Sequence, residues 1–512
     1  MDDIRSFPVS CTGGLYTSLD VLTQATQLPG TAIRLINYEP SIRGGYQRIQ
    51  GFTNDYGTLP GTGTTLGLVV FEDLNDGIFG CRAPTTGNNY FHYWDNNTSA
   101  WVTPTTVGSP TMTGVAKVRF SKLNWGVAKL AIVDGINPLA LWDGTTYTQV
   151  TGGSVLTNPS LCESFANHLF ISGDPAEPNS LVFSAPEDPT DFTPAGGAGV
   201  INVGFKINAI KSFRDTLYIF GTNNIKKVVG SSLDDFALQD VTKNLGCVAP
   251  DSVVEFNGDL LFLGPDGIRP ISGTDRIGDV EINTISKPVQ SIFENLTVTE
   301  DTTKASILVL NKKSQFRMFF PDAESLGVIG ALRRTGQGGV GFEFSRLIGI
   351  NMACGDSSYL GDEEYVIHGD SNGLVYRQES GNTFAGTPIE SVFQTPYYHM
   401  DDPINRKVVH EVYTYLRSDG AINVTMGLTY DYEDEYTLSP ADYSFNTEGA
   451  ASFYGIATYD ATSIYDGNPS PLRRTPVEGS GRSVSITYVT TDSQASHSIE
   501  ALVLSYAMAD KR

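Results

Sequence analysis

A nine-residue phrase recurs three times in the middle of the chain: a phenylalanine, three variable residues, a leucine, three mostly apolar residues and a glycine. It runs from Phe165 to Gly173, from Phe213 to Gly221 and from Phe256 to Gly264, with starts 48 and 43 residues apart. A period of ~40–50 residues built from short strands and turns is how β-propeller blades look in sequence. An apolar residue stands three positions before each phenylalanine: Cys162, Ile210 and Val253. In the third copy Asn257-Gly258 sits where a two-residue hairpin needs positive φ twice. Pro265-Asp266-Gly267 then turns the chain into a further strand from Ile268. Three strands joined by tight turns, with a fourth before the next unit, make one antiparallel blade.

Weaker copies flank this core. Phe71 and Phe120 open earlier hairpins, and 307–320 and 365–376 read as later ones. Trp94 to Trp101 resembles Trp142 to Tyr147 at the same spacing of 48. The expectation is an all-β chain: a β-propeller of six or seven blades over 56–385, whose closure merges the first unit with the last. An N-terminal extended segment (1–55) precedes it. Longer alternating strands at 408–416, 422–430, 484–489 and 499–506 predict an additional C-terminal β-sandwich-like domain over 386–512. One helix is predicted, with Ser286 as cap, Pro288 in its first turn, and Val289, Ile292, Phe293 and Leu296 on one face.

The formal net charge of −23 argues against tight binding to a phosphate backbone. Cys11, Cys81, Cys162, Cys247 and Cys354 stand far apart and odd in number, which predicts buried thiols in a reducing compartment. The amino terminus lacks the basic and apolar regions of a signal peptide, and no stretch approaches ~18 consecutive apolar residues. The expectation is synthesis in the cytosol and no membrane span.

Several motifs invite a catalytic reading. Gly369-Asp-Ser371-Asn-Gly373 matches the nucleophile elbow, which needs a strand before it and a helix after it. Strand-like sequence lies on both sides, so a hairpin turn is expected. Gly336-Gln-Gly338-Gly-Val-Gly341 matches a dinucleotide fingerprint but lacks its strand and helix. Asp431, Glu433 and Glu435 would share one face of a strand and could hold Ca²⁺, although a solvated face is the simpler reading. The paired acids Asp234-Asp235 and Asp401-Asp402 read as turn residues. The six histidines, 92, 168, 368, 399, 410 and 497, never stand at metal-ligand spacing. No catalytic, cofactor or metal residues are assigned, and the chain is not expected to be an enzyme.

Longer phrases carry a resemblance. Residues 32–52, 172–184, 188–192, 213–225, 246–254 and 264–268 resemble stretches of bacteriophage tail and packaged-DNA stabilisation proteins, most nearly the tail nozzle (tail tubular protein B) family of short-tailed phages. The likeness covers roughly 13–300 and leaves the last 120 or so residues uncovered. It implies a virion protein assembled in the host cytoplasm, forming a homo-oligomeric ring, a hexamer, that gates and conducts DNA. The ring would sit below a tail adaptor protein and present surfaces to tail fibres or tailspikes. DNA would pass without tight binding, because a lumen lined by carboxylates repels the backbone at every setting. The alternative is a propeller that binds or processes carbohydrate, with Trp94, Trp101 and Trp142 stacking on sugar rings.

Overall fold

A computed structural model describes residues 4–74, 77–85, 90–107, 110, 116–272, 284–299, 302–321, 326–334, 339–418, 420, 422–434, 436–447 and 472–509. The fold is all-β, with sheets arranged as a propeller. Five separate antiparallel sheets follow one another along the chain, at 62–102, 105–149, 161–202, 209–242 and 254–270. The second also carries one short parallel pairing, Thr105–Thr106 against Thr146–Gln149.

The repeated phrase is the hairpin that starts a blade. In the third blade Phe165 faces His168 across Ala166 and Asn167, whose φ values are 50° and 59°. In the fifth, Phe256 faces Asp259 across Asn257 and Gly258, at 47° and 77°. Both are turns whose twist matches that of the paired strands. Alternation then sends successive side chains to opposite neighbours. Leu169 and Ile171 pack toward the second blade, while Phe165 and Phe170 pack toward the fourth. The repeated Leu169, Leu217 and Leu260 are each fully buried between blades.

The six or seven blades expected do not all appear as separate sheets. The rest of the circle is taken by one fourteen-stranded sheet, which begins at the Ser306–Leu310 strand and ends at the Cys354–Leu360 strand. It folds over so that its two ends pack together beside the first blade. Leu308, Phe319, Ile329, Leu347, Met352 and Val366 fill the fold. The two arms cannot separate because N-terminal strands bridge them: Arg34–Ile36 pairs with Thr387–Gln394 and, in parallel, with Val340–Ile348. Phe52 and Thr53 pair with Gln378 and Arg377, so the N-terminal side supplies a strand to the last arm.

The division at 55 and 385 likewise does not follow the hydrogen bonds. Residues 5–10 pair with 501–506, and Tyr46 pairs with Ile499. These strands belong to a seven-stranded sheet organised around Lys407–Ser418 and His497–Met508. That sheet shares one core with the Asn423–Tyr430 and Val484–Asp492 strands, which continue the fourteen-stranded sheet. The C-terminal strands are thus present near the expected positions, but sheet pairing joins them to both the N-terminal segment and the propeller arms. The predicted helix forms as Gln290–Thr299 after a 3₁₀ turn, Lys287–Val289. Ser286 does not cap it; its hydroxyl accepts from the Ile268 amide instead, at 3.1 Å.

Candidate functional site at the propeller axis

The inner strands of the blades converge on a cavity of about 480 Å³. Its walls are the Arg119–Asn124, Leu161–Phe165 and Ala209–Phe213 strands, the Pro250–Ser252 turn, Gly67 to Val69 of the first blade, and the leading ends of both arms. Polar side chains fill it as ion pairs. Arg119 binds Asp251 through both ends of its guanidinium, Nε to Oδ1 at 2.7 Å and Nη2 to Oδ2 at 3.0 Å. Lys117 adds a contact to Asp251 Oδ2 at 3.1 Å. Lys211 meets Glu163 at 2.9 Å, and the Ser212 amide and hydroxyl donate to the same carboxylate oxygen. Lys122 meets Asp356 at 3.1 Å, and the Val70 amide donates to that oxygen too.

The electrostatics follow from burial and pairing. Burial alone would raise Asp251, but the adjacent Arg119 and Lys117 outweigh it and hold the carboxyl far below the usual range. Glu163 raises Lys211 against the opposing effect of burial. The cavity is therefore a lattice of four bases and three carboxylates, with Asp251 fixed in its charged form. Such a lattice can bind a polar or charged small ligand by exchanging partners. Asp251 cannot serve as a proton donor at neutral pH, because a general acid needs a raised pKa.

Sequence reasoning missed these residues, although the repeat held a signal. Glu163 and Lys211 occupy the same position, two before the phenylalanine, in consecutive copies. Lys122 is their counterpart in the second blade, because that hairpin closes at Asn124–Ala128, four residues beyond Phe120. A charge recurring inside an otherwise apolar inner strand marks the axis.

The motifs that invited chemistry lie elsewhere. Ser371 is at an exposed hairpin tip, where its partner is the Asn351 amide at 3.2 Å and Asp370 holds the turn through Asn372 and Leu374. Three residues of the glycine-rich stretch, 336–338, lie outside the described residues. Asp431 to Glu433 form a left-handed turn and not a strand, so the shared acidic face is corrected; Glu435 lies outside the described residues. Trp94 and Trp142 are buried between sheets, and the indole N–H of Trp101 donates to Tyr56 O. Asp235 and Asp402 cap turns through neighbouring amides, at Ser231 and Ser232 and at Ile404 and Asn405. All five cysteines are free and buried, and burial pushes Cys354 up to about 12.

No family model and no curated protein matches the chain. Solved structures give distant likenesses. One is an ancestral GH74 enzyme, at 10% identity and a TM-score of 0.41, covering 71% of this chain and 52% of its own. The chain thus spans about half the length of that enzyme. Another is an exo-beta-1,3-galactanase from Phanerochaete chrysosporium, at 10% identity and a TM-score of 0.28, covering 90% and 100%. A third is the Mitotic Checkpoint Complex, at 10% identity and a TM-score of 0.37, covering 61% and 88%. Two of these neighbours are enzymes by name, and the expectation that the chain is no enzyme is withdrawn. At these identities and scores the likenesses carry no reaction or substrate to the chain.

Proposed function

We propose that the chain is a subunit of a multi-copy ring in the tail of a short-tailed bacteriophage, a nozzle through which DNA passes below an adaptor. The observation that supports this most is the spread of the tail-protein phrases. They run through the N-terminal strands and three consecutive blades, so the resemblance follows the architecture and is not confined to one borrowed module. The axis of a single chain is a small-ligand volume crossed by ion pairs, too small for duplex DNA. In this reading the conduit lies between copies, and the net charge of −23 lets DNA slide without counterion-releasing contacts. The two arms of the large sheet serve as the sixth and seventh sectors of the propeller. Fibres and adaptor would bind outside the axis, and the particle would assemble in the host cytoplasm.

The test is particle imaging and mass measurement of the purified chain, alone and with its adaptor. Rings, expected as hexamers, support the reading; a chain that stays monomeric in both conditions overturns it.

One observation favours a second reading. The converging charges of Glu163, Asp251, Asp356 and their partners could hold a glycan at the axis, for binding or cleavage. The tryptophans first considered as sugar platforms do not supply that contact: Trp94 and Trp142 are buried, Trp101 is half-buried, and none of the three lines the cavity. A glycan array and hydrolase screen, repeated with Glu163→Gln, tests it. Signal lost in the variant would favour this reading.

A further inference from the structure

Two surfaces outside the axis are complementary and lie at opposite ends of one strand. The first is a cleft of about 360 Å³ lined by Arg43, Lys313, Arg333 and Arg417, with Glu39 as its carboxylate. In a chain of net charge −23 this is a concentration of bases. Glu39 is spoken for by Lys313 and Arg317, Lys313 also pairs with Glu379, and Arg417, half exposed, pairs with Glu500 at 2.7 Å. Arg333 donates to the carbonyls of Pro40, Ser314 and Leu332, with Glu39 and Glu343 near enough to offset its charge in part. Arg43 is exposed and its guanidinium meets no partner among the described residues. Ile42, 63% exposed, adds an apolar rim.

The second surface is the loop after the Asn423–Tyr430 strand. Glu433 and Asp434 are exposed there, beside Tyr436 at 85% and Leu438 at 89% exposure. Large apolar side chains left this bare on an acidic loop mark a contact surface. The loop is also held in shape. Asp431, Tyr432 and Glu433 have φ of 48°, 60° and 63°, a strained run for non-glycine residues. Asp431 accepts from the Arg482 and Ser483 amides at 2.6 and 3.0 Å, and Tyr432 packs 4.3 Å from Tyr397.

One chain cannot bring these surfaces together. The loop is tied to Arg482 and Ser483, next to Gly481, which pairs with Lys407. The cleft adjoins Arg417 and Ser418, which pair with Ser498 and His497. Lys407 and Arg417 are the two ends of a single strand, about 34 Å apart at ~3.4 Å per residue.

We propose that residues 431–434 and 436–438 of one copy dock in the cationic cleft of the next. This rests on the ring reading and gives it its interface. A knob at one end and a socket at the other make a head-to-tail contact, which generates a ring when the rotation closes. Glu433 and Asp434 would meet Arg43 and the exposed side of Arg417, which shares its charge with Glu500, while Tyr436 and Leu438 would cover Ile42.

Two double variants of the full chain, Arg43→Glu with Arg417→Glu and Glu433→Lys with Asp434→Lys, test this by mass photometry. Each is expected to weaken assembly about tenfold or more, since like charges then face each other. An equimolar mixture is expected to reassemble, because each reversed surface finds its opposite on the other variant. A folding defect would not be rescued by mixing. If the parent chain forms rings and both variants do so unchanged, or if both dissociate and mixing restores nothing, this interface is wrong while the ring stands. If the parent chain never assembles, even with its adaptor, the ring reading itself falls and takes the interface with it.

Discussion

The separate blades and the seven-stranded terminal sheet are both built largely of antiparallel pairs, yet they are assembled over different distances. In the third blade Phe165 pairs with His168; in the terminal sheet Arg5 pairs with Tyr506. Local hairpins close cheaply and carry their own turn signals. A strand whose partner is the other end of the chain must wait until everything between is placed. The blades therefore specify themselves locally, while the terminal sheet records that the whole circle has closed. What holds it closed differs too. Apolar faces and the ion pairs at the axis join blade to blade, whereas the terminal sheet adds a buried charge cluster to the apolar core it shares with the large sheet.

That fastening gives the largest expected effect. Arg317 is 1% exposed and contacts Glu39 of the terminal sheet at 3.2 Å, Glu379 beyond the last arm, and Gln378 at 3.0 Å. Burial would raise Glu379, but Arg317 and Lys313 bring it down to about 2. Arg317→Met leaves two carboxylates facing a buried methionine, a cost of about 3–5 kcal/mol. Urea denaturation measures the loss, and hydrogen exchange locates it. Amides at 38–40 and 375–378 should lose protection first while those at 161–242 keep theirs. Uniform loss over both regions would break the distinction.

Acid should act next. Burial drives His368 and His497 down to about 3, with Arg317 and Arg48 respectively adding to the effect. Their folded pKa values lie below the unfolded value near 6.5, so the unfolded chain takes up these protons first. Stability is full above about pH 6.5 and falls as pH drops toward 3, by about 1.4 kcal/mol per pH unit for each histidine. Both sit in the non-local part of the molecule: His368 against Phe52 and Tyr376, His497 against the Tyr38 hydroxyl at 2.8 Å. Urea midpoints between pH 7 and 5 should slope accordingly, and His497→Gln should flatten part of the slope. Asp251 acts with the same sign in a lower range: its contribution is full well above the ordinary value of 3.8 and is lost progressively as the pH falls below it.

The same difference explains what the sequence could and could not reveal. Phe165, Phe213 and Phe256 announced blades because each lies beside its own turn. The strands at 407–418 and 497–508 were legible as alternating runs, but nothing in them names Arg5–Ser10 or Tyr46–Arg48 as partners. The blade count failed for a related reason. Ser306–Leu310 and Cys354–Leu360 look like inner strands of two ordinary units, and only the distant Arg34–Ile36 and Phe52–Thr53 reveal that their sheets are one. At the axis, Glu163 and Lys211 were in plain sight at one repeat position, while Asp251 and Asp356 come from a turn and a different register. No period contains them.

The smallest effects come from two glycines that test the comparison at single-residue scale. Gly258 and Gly45 have the same φ of 77°. A β-carbon on Gly258 meets nothing within 4 Å, so Gly258→Ala costs only the left-handed backbone, about 1–2 kcal/mol. At Gly45 the same atom would lie 2.5 Å from the Ile499 carbonyl oxygen and 2.9 Å from the Glu500 α-carbon. That neighbour is backbone in the paired terminal strand and cannot swing aside, so Gly45→Ala must also push the strands apart. Thermal melts of the two variants should differ, with Gly45→Ala the less stable. Equal melting points would mean that the Tyr46–Ile499 pairing yields as readily as an open turn, and that the terminal sheet is not the clasp that closes the circle.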